Sequence, residues 1–202
     1  MRFLSQNAVR KLTIPSIYLS FVAAVAVGAL ARDRAMAKEG SYEVPATPGT
    51  GQQFLQKFTG NWDVEKKFYP RNGAPVTTKL ECRQTMINGG RFLKSEFFPQ
   101  SQTNAVGIGF VGFESASGEF TSVWMDSRST KMSIRRSKER FNGSEIVLFS
   151  VPLGDGEREG RPSRDVTRLA NNGRKIVHQQ YAINPDSTEL LKLELIMTKR
   201  SE

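Results

Sequence analysis

Cysteine and histidine are nearly absent from this chain. Among its 202 residues there is one cysteine, Cys82, and one histidine, His178. A single cysteine excludes an intramolecular disulfide, and these two residues cannot build a cysteine-rich zinc site. No metal ligands are therefore predicted, and the fold has to be stabilised by its hydrophobic core.

Long apolar runs are also scarce, and the one exception lies near the start. A basic segment precedes the uncharged stretch 13–31, and small residues in A-x-A spacing follow. This order is typical of a secretory signal peptide. We predict a signal peptide over residues 1–37, cleaved after Ala31 or Ala37. Export to the periplasm or the extracellular space would follow, with no stable membrane span after cleavage; an uncleaved membrane anchor is the alternative.

The basic excess of the chain is modest once this segment is set aside. The formal charge is +9, and residues 1–37 hold five basic and one acidic side chain, so +5 remains. Such a charge mainly keeps a small domain soluble. The basic run 131–140 lacks the interleaved aromatic rings that stack on bases, so no nucleic-acid partner is expected. On a strand its even-numbered members, Arg136, Lys138 and Arg140, would share a solvated outer face.

Two short segments precede the main domain. Residues 38–50 contain two prolines and two glycines without an apolar period, which is typical of a linker. Residues 50–58 predict a short helix with Thr50 as its N-cap. Phe54, Leu55 and Phe58 would lie on one face of that helix.

The main domain, residues 51–202, reads as a series of strands separated by turns. Asn142-Gly143 is typical of a hairpin turn in which both residues adopt positive φ. About ten hairpin-linked strands predict an all-β fold, an antiparallel up-and-down lipocalin-like barrel whose closure removes exposed edges, with a sandwich as the alternative. Leu191, Leu193, Leu195 and Met197 would share one face of the last strand. The predicted strands are Trp62–Tyr69, Val76–Ile87, Arg91–Phe98, Ala105–Glu114, Glu119–Asp126, Lys131–Phe141, Ser144–Val151, Asp165–Ala170, Lys175–Ile183 and Leu190–Arg200.

One motif imitates a nucleotide-binding loop. The stretch 107–112 matches G-x-G-x-x-G, but a pyrophosphate site needs a helix to begin at these glycines. The residues that follow lead into another strand, so we interpret the glycines as positions where a barrel strand bends. The polar stretch 154–165 is predicted to form a loop at one end of the barrel.

Several motifs resemble those of lipocalin-like (calycin) barrels. Gly60-Asn61-Trp62 opens the first strand and Lys199-Arg200 closes the last. The resemblance implies that the tryptophan packs under the barrel and that a late arginine stacks across its ring. More specifically, the chain is similar to the bacterial family catalogued as domain of unknown function 1579. The matching stretches are residues 55–64, 88–94, 109–113, 124–127 and 193–200.

That family implies a barrel but carries no established activity, so it offers no catalytic residues. A second similarity, to nitrobindin-like haem barrels, rests on Gly60-x-Trp62 and on Tyr69-Pro70. It implies a late-strand histidine as the haem ligand, a place that His178 could take. The chain departs from those proteins after the tryptophan, where residues 64–66 stand in place of further glycines.

We therefore predict a non-enzymatic protein that binds a small apolar or amphipathic molecule inside its barrel, without an assigned cofactor. Alternatives are a haem-binding barrel that uses His178, or an enzyme with Asp126, Arg91 or Glu96 as polar groups in the barrel. Catalytic residues, ligand identity and oligomeric state stay unassigned. The predicted lining residues are Leu80, Cys82, Met86, Phe92, Trp124 and Tyr181.

Overall fold

The computed structural model describes residues 46–151 and 162–201. The predicted signal peptide, residues 38–45 of the predicted linker and residues 154–161 of the predicted polar loop lie outside this part. Residues 163–165 of that loop instead begin a strand. Within the described ranges, no helix is long and apolar enough to cross a membrane.

One short helix precedes ten strands. The helix, α1, spans Thr50–Gln56. The strands are β1 (Gly60–Phe68), β2 (Val76–Ile87), β3 (Phe92–Pro99), β4 (Gly107–Glu114), β5 (Glu119–Asp126), β6 (Ser133–Arg136), β7 (Glu145–Ser150), β8 (Ser163–Ala170), β9 (Lys175–Ile183) and β10 (Glu189–Lys199).

These strands form a closed antiparallel barrel. Each strand pairs with its neighbours in the sequence, and β1 closes the ring by pairing with β10. In that closing pair, Trp62 lies opposite Lys199 and Phe68 lies opposite Leu193. Among the strands that the structure describes, closure leaves none with an unpaired edge, which is the way barrels remove exposed edges. The predicted all-β barrel with a short N-terminal helix is confirmed, and the sandwich alternative is wrong.

Helix α1 is shorter than predicted and begins differently. Its N-cap is Gly49 rather than Thr50, and the helix ends at Gln56 rather than at Phe58. The Gly49 backbone N–H donates to Gln52 Oε1 over 2.8 Å, and Gln52 Nε2 donates to the Phe113 carbonyl over 2.8 Å. Gln52 therefore fixes the first turn of the helix and also ties it to β4.

Aromatic and aliphatic side chains close one end of the barrel. Trp62 and Leu55 are fully buried, and Phe58 is 1% exposed. The Trp62 Nε1–H donates to the Phe58 carbonyl over 3.0 Å, which satisfies the polar atom of the buried indole. Phe54 contacts Phe58, with ring centroids 5.3 Å apart. We call this end, with α1 across it, the closed end.

The basic pair at the end of β10, Lys199 and Arg200, does not act as the lipocalin resemblance implies. Lys199, not Arg200, lies over the Trp62 ring, with its Nζ 5.6 Å from the ring centroid. Arg200 instead pairs with Asp63 and Glu81 on the outside of the barrel, over 2.7 Å in each case. Alternation along the strand separates the two residues, because neighbours point to opposite faces.

Strand β6 is the one strand whose length differs markedly from the prediction, since it ends at Arg136 rather than at Phe141. The Ser137 hydroxyl donates to the Val147 carbonyl over 3.0 Å and accepts from the Phe120 N–H over 3.3 Å. The chain then leaves the sheet so that Phe141 joins the closed end, 4.8 Å from the Phe54 ring. The other nine strands agree with the prediction to within two residues at each end.

The Asn-Gly turns follow two different geometries. At Asn88-Gly89 both residues have positive φ, 50° and 63°. At Asn142-Gly143 only Gly143 does, with a φ of 90°, so the predicted pair of positive φ values is wrong there. The Asn142 Oδ1 accepts from the Ser144 N–H over 2.9 Å instead, an Asx turn that stabilises the same reversal.

A candidate ligand-binding cavity

The barrel encloses a cavity of about 410 Å³. Phe58 bounds it on the side of the closed end, and residues from the opposite ends of β1, β5 and β6 also line it. This volume falls within the range of roughly 300–1,000 Å³ that small-molecule sites usually have. Ten strands make a barrel wide enough to leave such room beyond its own side chains.

The larger part of the wall surface is apolar. Strand β10 contributes Leu193, Leu195 and Met197, as the alternation in the sequence predicted. A register shift between Leu191 and Leu193 interrupts the pairing with β9, and Leu191 is not among the lining residues. Further large apolar side chains of the wall come from β2 to β5, β7 and β9; they include Leu80, Leu93, Phe97, Val111, Trp124, Ile146, Leu148 and Ile176.

The ring of Trp124 lies flat against two glycines of β4. A Cβ atom on Gly107 would come within 2.6 Å of the indole, and one on Gly109 within 3.1 Å. The first distance is far shorter than any van der Waals contact allows. Two glycines of the G-x-G-x-x-G stretch therefore make room for a side chain of the wall. No helix follows them, so the phosphate-binding interpretation is excluded.

A polar cluster interrupts the apolar wall on the side formed by β6, β8 and β9. Arg135 Nε lies 2.8 Å from Asp165 Oδ2, and both side chains are largely buried, at 14% and 7% exposure. The guanidinium N–H is not aligned with that oxygen, so the contact is an ion pair without a well-formed hydrogen bond. We call Arg135, Asp165, Thr167 and His178 the polar cluster.

His178 completes this cluster. Its Nδ1 lies 2.9 Å from Thr167 Oγ1, and its Nε2 lies 3.9 Å from Asp165 Oδ2. Burial lowers the pKa of His178, an effect that Asp165 opposes and Arg135 reinforces. The imidazole is therefore neutral at pH 7. In this state the cluster holds one positive and one negative charge.

The end of the cavity opposite α1, the open end, carries a second group of charges. The Asp126 carboxylate accepts hydrogen bonds from Arg128 and from Trp124 Nε1, the latter over 2.9 Å. These hydrogen bonds hold the pKa of Asp126 well below its usual range, and the one from Arg128 has a larger effect than the one from Trp124. Lys66 lies across the same opening. Burial is the main cause that lowers its pKa, and repulsion from Arg128 lowers it further.

The structure brings together some of the predicted lining residues and separates others. Leu80 and Trp124 line the cavity. Cys82 and Met86 face the same side of β2 but pack into the core around Trp62 and are not part of the cavity wall. Burial raises the pKa of the Cys82 thiol, which keeps it protonated and unreactive.

Phe92 and Tyr181 lie on the outer face, so their placement inside the barrel needs correction. Phe92 is 41% exposed and packs against Gly112. Tyr181 lies next to Gln180, a lining residue, and therefore points away from the cavity. The Arg164 guanidinium covers its ring at 4.7 Å from the centroid. Alternation alone could not assign these two residues, since both faces of β3 and β9 carry mixed side chains.

Of the three polar residues suggested for an enzyme, only Asp126 lines the cavity. Arg91 lies in the turn before β3 and donates to the Asn88 carbonyl over 2.9 Å. Glu96 faces outward, where it pairs with Lys94 over 2.9 Å and with Arg83 over 3.0 Å. Hydrogen bonds from these two cations lower the pKa of Glu96, and Lys94 has the larger effect. Among the described residues, no group of three or more side chains suited to metal binding comes together.

Arg135, Asp165 and Thr167 also line the cavity, which the sequence pattern did not predict. The even-numbered basic residues of this region do lie outside, where Arg136 pairs with Glu119 over 2.9 Å. The same alternation placed Arg135 on the other face, which was the available signal. Strand β8 gave no comparable signal. Its inward-facing residues, Asp165 and Thr167, are polar, whereas Val166, which lies between them and faces the other way, is only 2% exposed.

Comparison with known protein families identifies the family of this chain. The model of the family described as "Protein of unknown function (DUF1579)" matches residues 47–196. The chain belongs to this family. The match covers α1, the first nine strands and most of β10, so family membership and the barrel agree.

A solved structure shares the fold. The crystal structure of Rv2717c from M. tuberculosis superposes with a TM-score of 0.53 at 12% sequence identity. The match covers 77% of this chain and all of the other. At this level of identity the similarity concerns the fold alone. The curated proteins give no match.

Proposed function

We propose that this member of the family binds a small amphipathic molecule inside its barrel and does not act as an enzyme. The observation that carries the proposal is the 410 Å³ cavity, whose largely apolar wall is interrupted by a buried polar cluster on one side. An apolar body would gain from burial against that wall. A few convergent polar groups would fix its orientation, as is usual in small-molecule sites.

The state of Asp126 argues against catalysis by this carboxylate. A general base needs a pKa near the working pH and a free lone pair. Hydrogen bonds from Arg128 and Trp124 occupy both oxygens of Asp126 and keep it ionised. It therefore serves to position Trp124 and Arg128 at the open end.

The haem-binding alternative fits the polar cluster poorly. An axial histidine offers one ring nitrogen to the iron while the other is held by a neighbouring group. Thr167 holds Nδ1 of His178, but Nε2 lies beside the Asp165 carboxylate, which Arg135 also contacts. Iron approaching Nε2 would have to displace this ion pair. Binding of an amphipathic organic ligand requires no such rearrangement.

Native mass spectrometry of the protein purified from a bacterial host tests the proposal first. We expect a mass excess that disappears on denaturation and corresponds to an organic molecule small enough for the cavity. An excess equal to haem, with a Soret band that His178→Ala removes, would instead support the haem-binding alternative.

A matched pair of variants then locates the site. Leu195 lines the cavity, whereas Ile196, the next residue on β10, points to the other face. Leu195→Trp should weaken binding of the uncharged fluorescent probe N-phenyl-1-naphthylamine by about tenfold or more, since each 1.4 kcal/mol lost is a factor of ten. Ile196→Trp should leave it within about twofold. Equal affinities in both variants, with unchanged thermal stability, would contradict binding inside the barrel.

We also propose that the protein is exported. The support is the basic and apolar pattern of residues 1–37. Intact mass of the protein recovered from the periplasmic fraction should show loss of residues 1–31 or 1–37. Full-length protein in the membrane fraction would support the anchored alternative.

A further inference from the structure

One carboxylate oxygen in the cavity wall lacks a partner. The Asp165 side chain is 7% exposed, and its Oδ2 contacts Arg135. Its Oδ1 is buried and accepts no hydrogen bond from the described residues. A buried, unsatisfied acceptor on a charged group costs free energy that any well-placed donor would recover.

The side chains around Asp165 do not supply that donor. Arg135 lies on the other oxygen, and His178 Nε2 is 3.9 Å from that same oxygen, beyond hydrogen-bonding distance. Gln180, the cross-strand neighbour of Asp165, also lines the cavity, but no hydrogen bond joins the two. Among the described residues no side chain therefore donates to Oδ1, so the hydrogen-bonding capacity of this carboxylate is left unfilled at the cavity wall.

A second buried oxygen in the wall has the same requirement. Gln84 Nε2 donates to Ser95 Oγ over 3.0 Å, while Gln84 Oε1 is buried and without a partner among the described residues. Both unpaired oxygens of the cavity wall are acceptors, on different sides of the barrel, and the Arg135 Nε–H beside Asp165 is an unpaired donor. The polar cluster is therefore matched to a ligand group that both donates and accepts hydrogen bonds.

The charge of the polar cluster restricts the ligand further. The single positive charge of Arg135 already faces the single negative charge of Asp165. A ligand carboxylate placed here would have no donor for Oδ1 and would lie beside a like charge in a poorly solvated site. A hydroxyl group donates one hydrogen bond and accepts others, so it can donate to the Asp165 carboxylate while Arg135 or His178 donates to its oxygen.

We propose that the polar cluster is the head-group site of the barrel and that it selects an amphipathic alcohol over the corresponding carboxylate. This inference rests on the proposed function, since it names the ligand class of the same cavity. Asp165 is the residue that determines the selectivity, and Arg135 is the residue that positions Asp165.

Two ligands of equal chain length test the selectivity in the unmodified protein. Displacement of N-phenyl-1-naphthylamine is measured with 1-decanol and with decanoate at pH 7.5, where the acid is ionised. We expect 1-decanol to bind at least about tenfold more tightly, because a like charge close to Asp165 is costly. This measurement needs no variant, so it does not depend on how well a substituted protein folds.

Asp165→Asn should then reverse the preference. The amide removes the negative charge, offers N–H donors and leaves Arg135 as an uncompensated cation. Decanoate should bind at least about tenfold more tightly to this variant than to the unmodified protein, by the same charge argument. Glu119→Gln is the matched control, because Glu119 pairs with Arg136, the neighbour of Arg135, on the outer face of the barrel and does not line the cavity. In this control, the ratio of the affinities for 1-decanol and decanoate should change by no more than about twofold.

The possible failures are distinguishable. If both ligands bind the unmodified protein equally, or if decanoate binds more tightly, the head-group inference is wrong while the proposed function stands. The same conclusion follows if Asp165→Asn stays folded by near-ultraviolet circular dichroism and keeps the preference for the alcohol. If neither ligand nor the probe binds, the proposed function fails and the inference fails with it.

Discussion

The indole of Trp124 lies so close to Gly107 that a single methyl group on the glycine would come within 2.6 Å of the ring. Trp124 sits on β5 and Gly107 begins β4, so cross-strand packing, not a ligand, explains the absence of a side chain there. The indole also donates to Asp126 over 2.9 Å. Its position is thus fixed from two sides, and the wall of the cavity depends on it.

Gly107→Ala should destabilise the protein by about 1–3 kcal/mol, because overpacking forces the ring or the backbone to move. Urea unfolding would measure the free energy of unfolding, and near-ultraviolet circular dichroism would report displacement of the ring. Gly109→Ala, with its longer contact of 3.1 Å, should cost less. If Gly107→Ala kept full stability and an unchanged spectrum, the contact would not be as tight as described.

Trp62→Phe should destabilise the closed end by about 1–3 kcal/mol, since the buried Phe58 carbonyl would lose its donor, and lost packing would add to this. Lys199→Met removes only the cation over the ring, which should cost about 1 kcal/mol or less. Thermal and urea unfolding of both variants would establish the order. The reverse order would mean that the cation, rather than the indole hydrogen bond, holds this end together.

The pKa of His178 should lie below its ordinary value of about 6.5, because burial disfavours the charged ring. A base with a lowered folded-state pKa binds fewer protons folded than unfolded. The resulting stability is present above about pH 6.5 and is lost as the pH falls below it. Urea unfolding between pH 5 and pH 8 should show this slope, and His178→Gln should flatten it.

Nuclear magnetic resonance gives a direct check, because His178 is the only histidine in the sequence and its ring resonances need no assignment. Asp165→Asn should lower this pKa further, since the Asp165 charge raises it. A midpoint at or above 6.5 in the unmodified protein would contradict the conclusion that burial dominates the pKa of this ring.

Cys82 should resist thiol reagents in the native protein. It is 2% exposed, and burial raises its pKa, so the reactive thiolate is scarce at pH 8. Labelling with 5,5′-dithiobis(2-nitrobenzoic acid) should proceed only as fast as the protein unfolds, and become complete in denaturing urea. Rapid labelling under native conditions would place the thiol at a surface.

The strand pattern could be predicted because each hairpin encodes itself locally. Turn residues such as Asn88 and Gly89 occur between runs of β-branched and aromatic residues, and nine of ten strands follow from them closely. The end of strand β6 could not be predicted in this way, because contacts of Ser137 and Phe141 with distant residues cause the strand to end early. Likewise Phe92 and Tyr181 were assigned to the interior because mixed strands do not reveal which face is covered.

The sequence by itself determined the fold class, the order of the strands and the tryptophan at the closed end, since these depend on alternation, on turn chemistry and on motifs contiguous in the chain. Only the tertiary structure decided which side chains meet inside. Arg135, Asp165 and His178 belong to three separate strands, each unremarkable in its own segment. They form one buried cluster because closure of the barrel turns their faces inward and brings β6, β8 and β9 to the same wall.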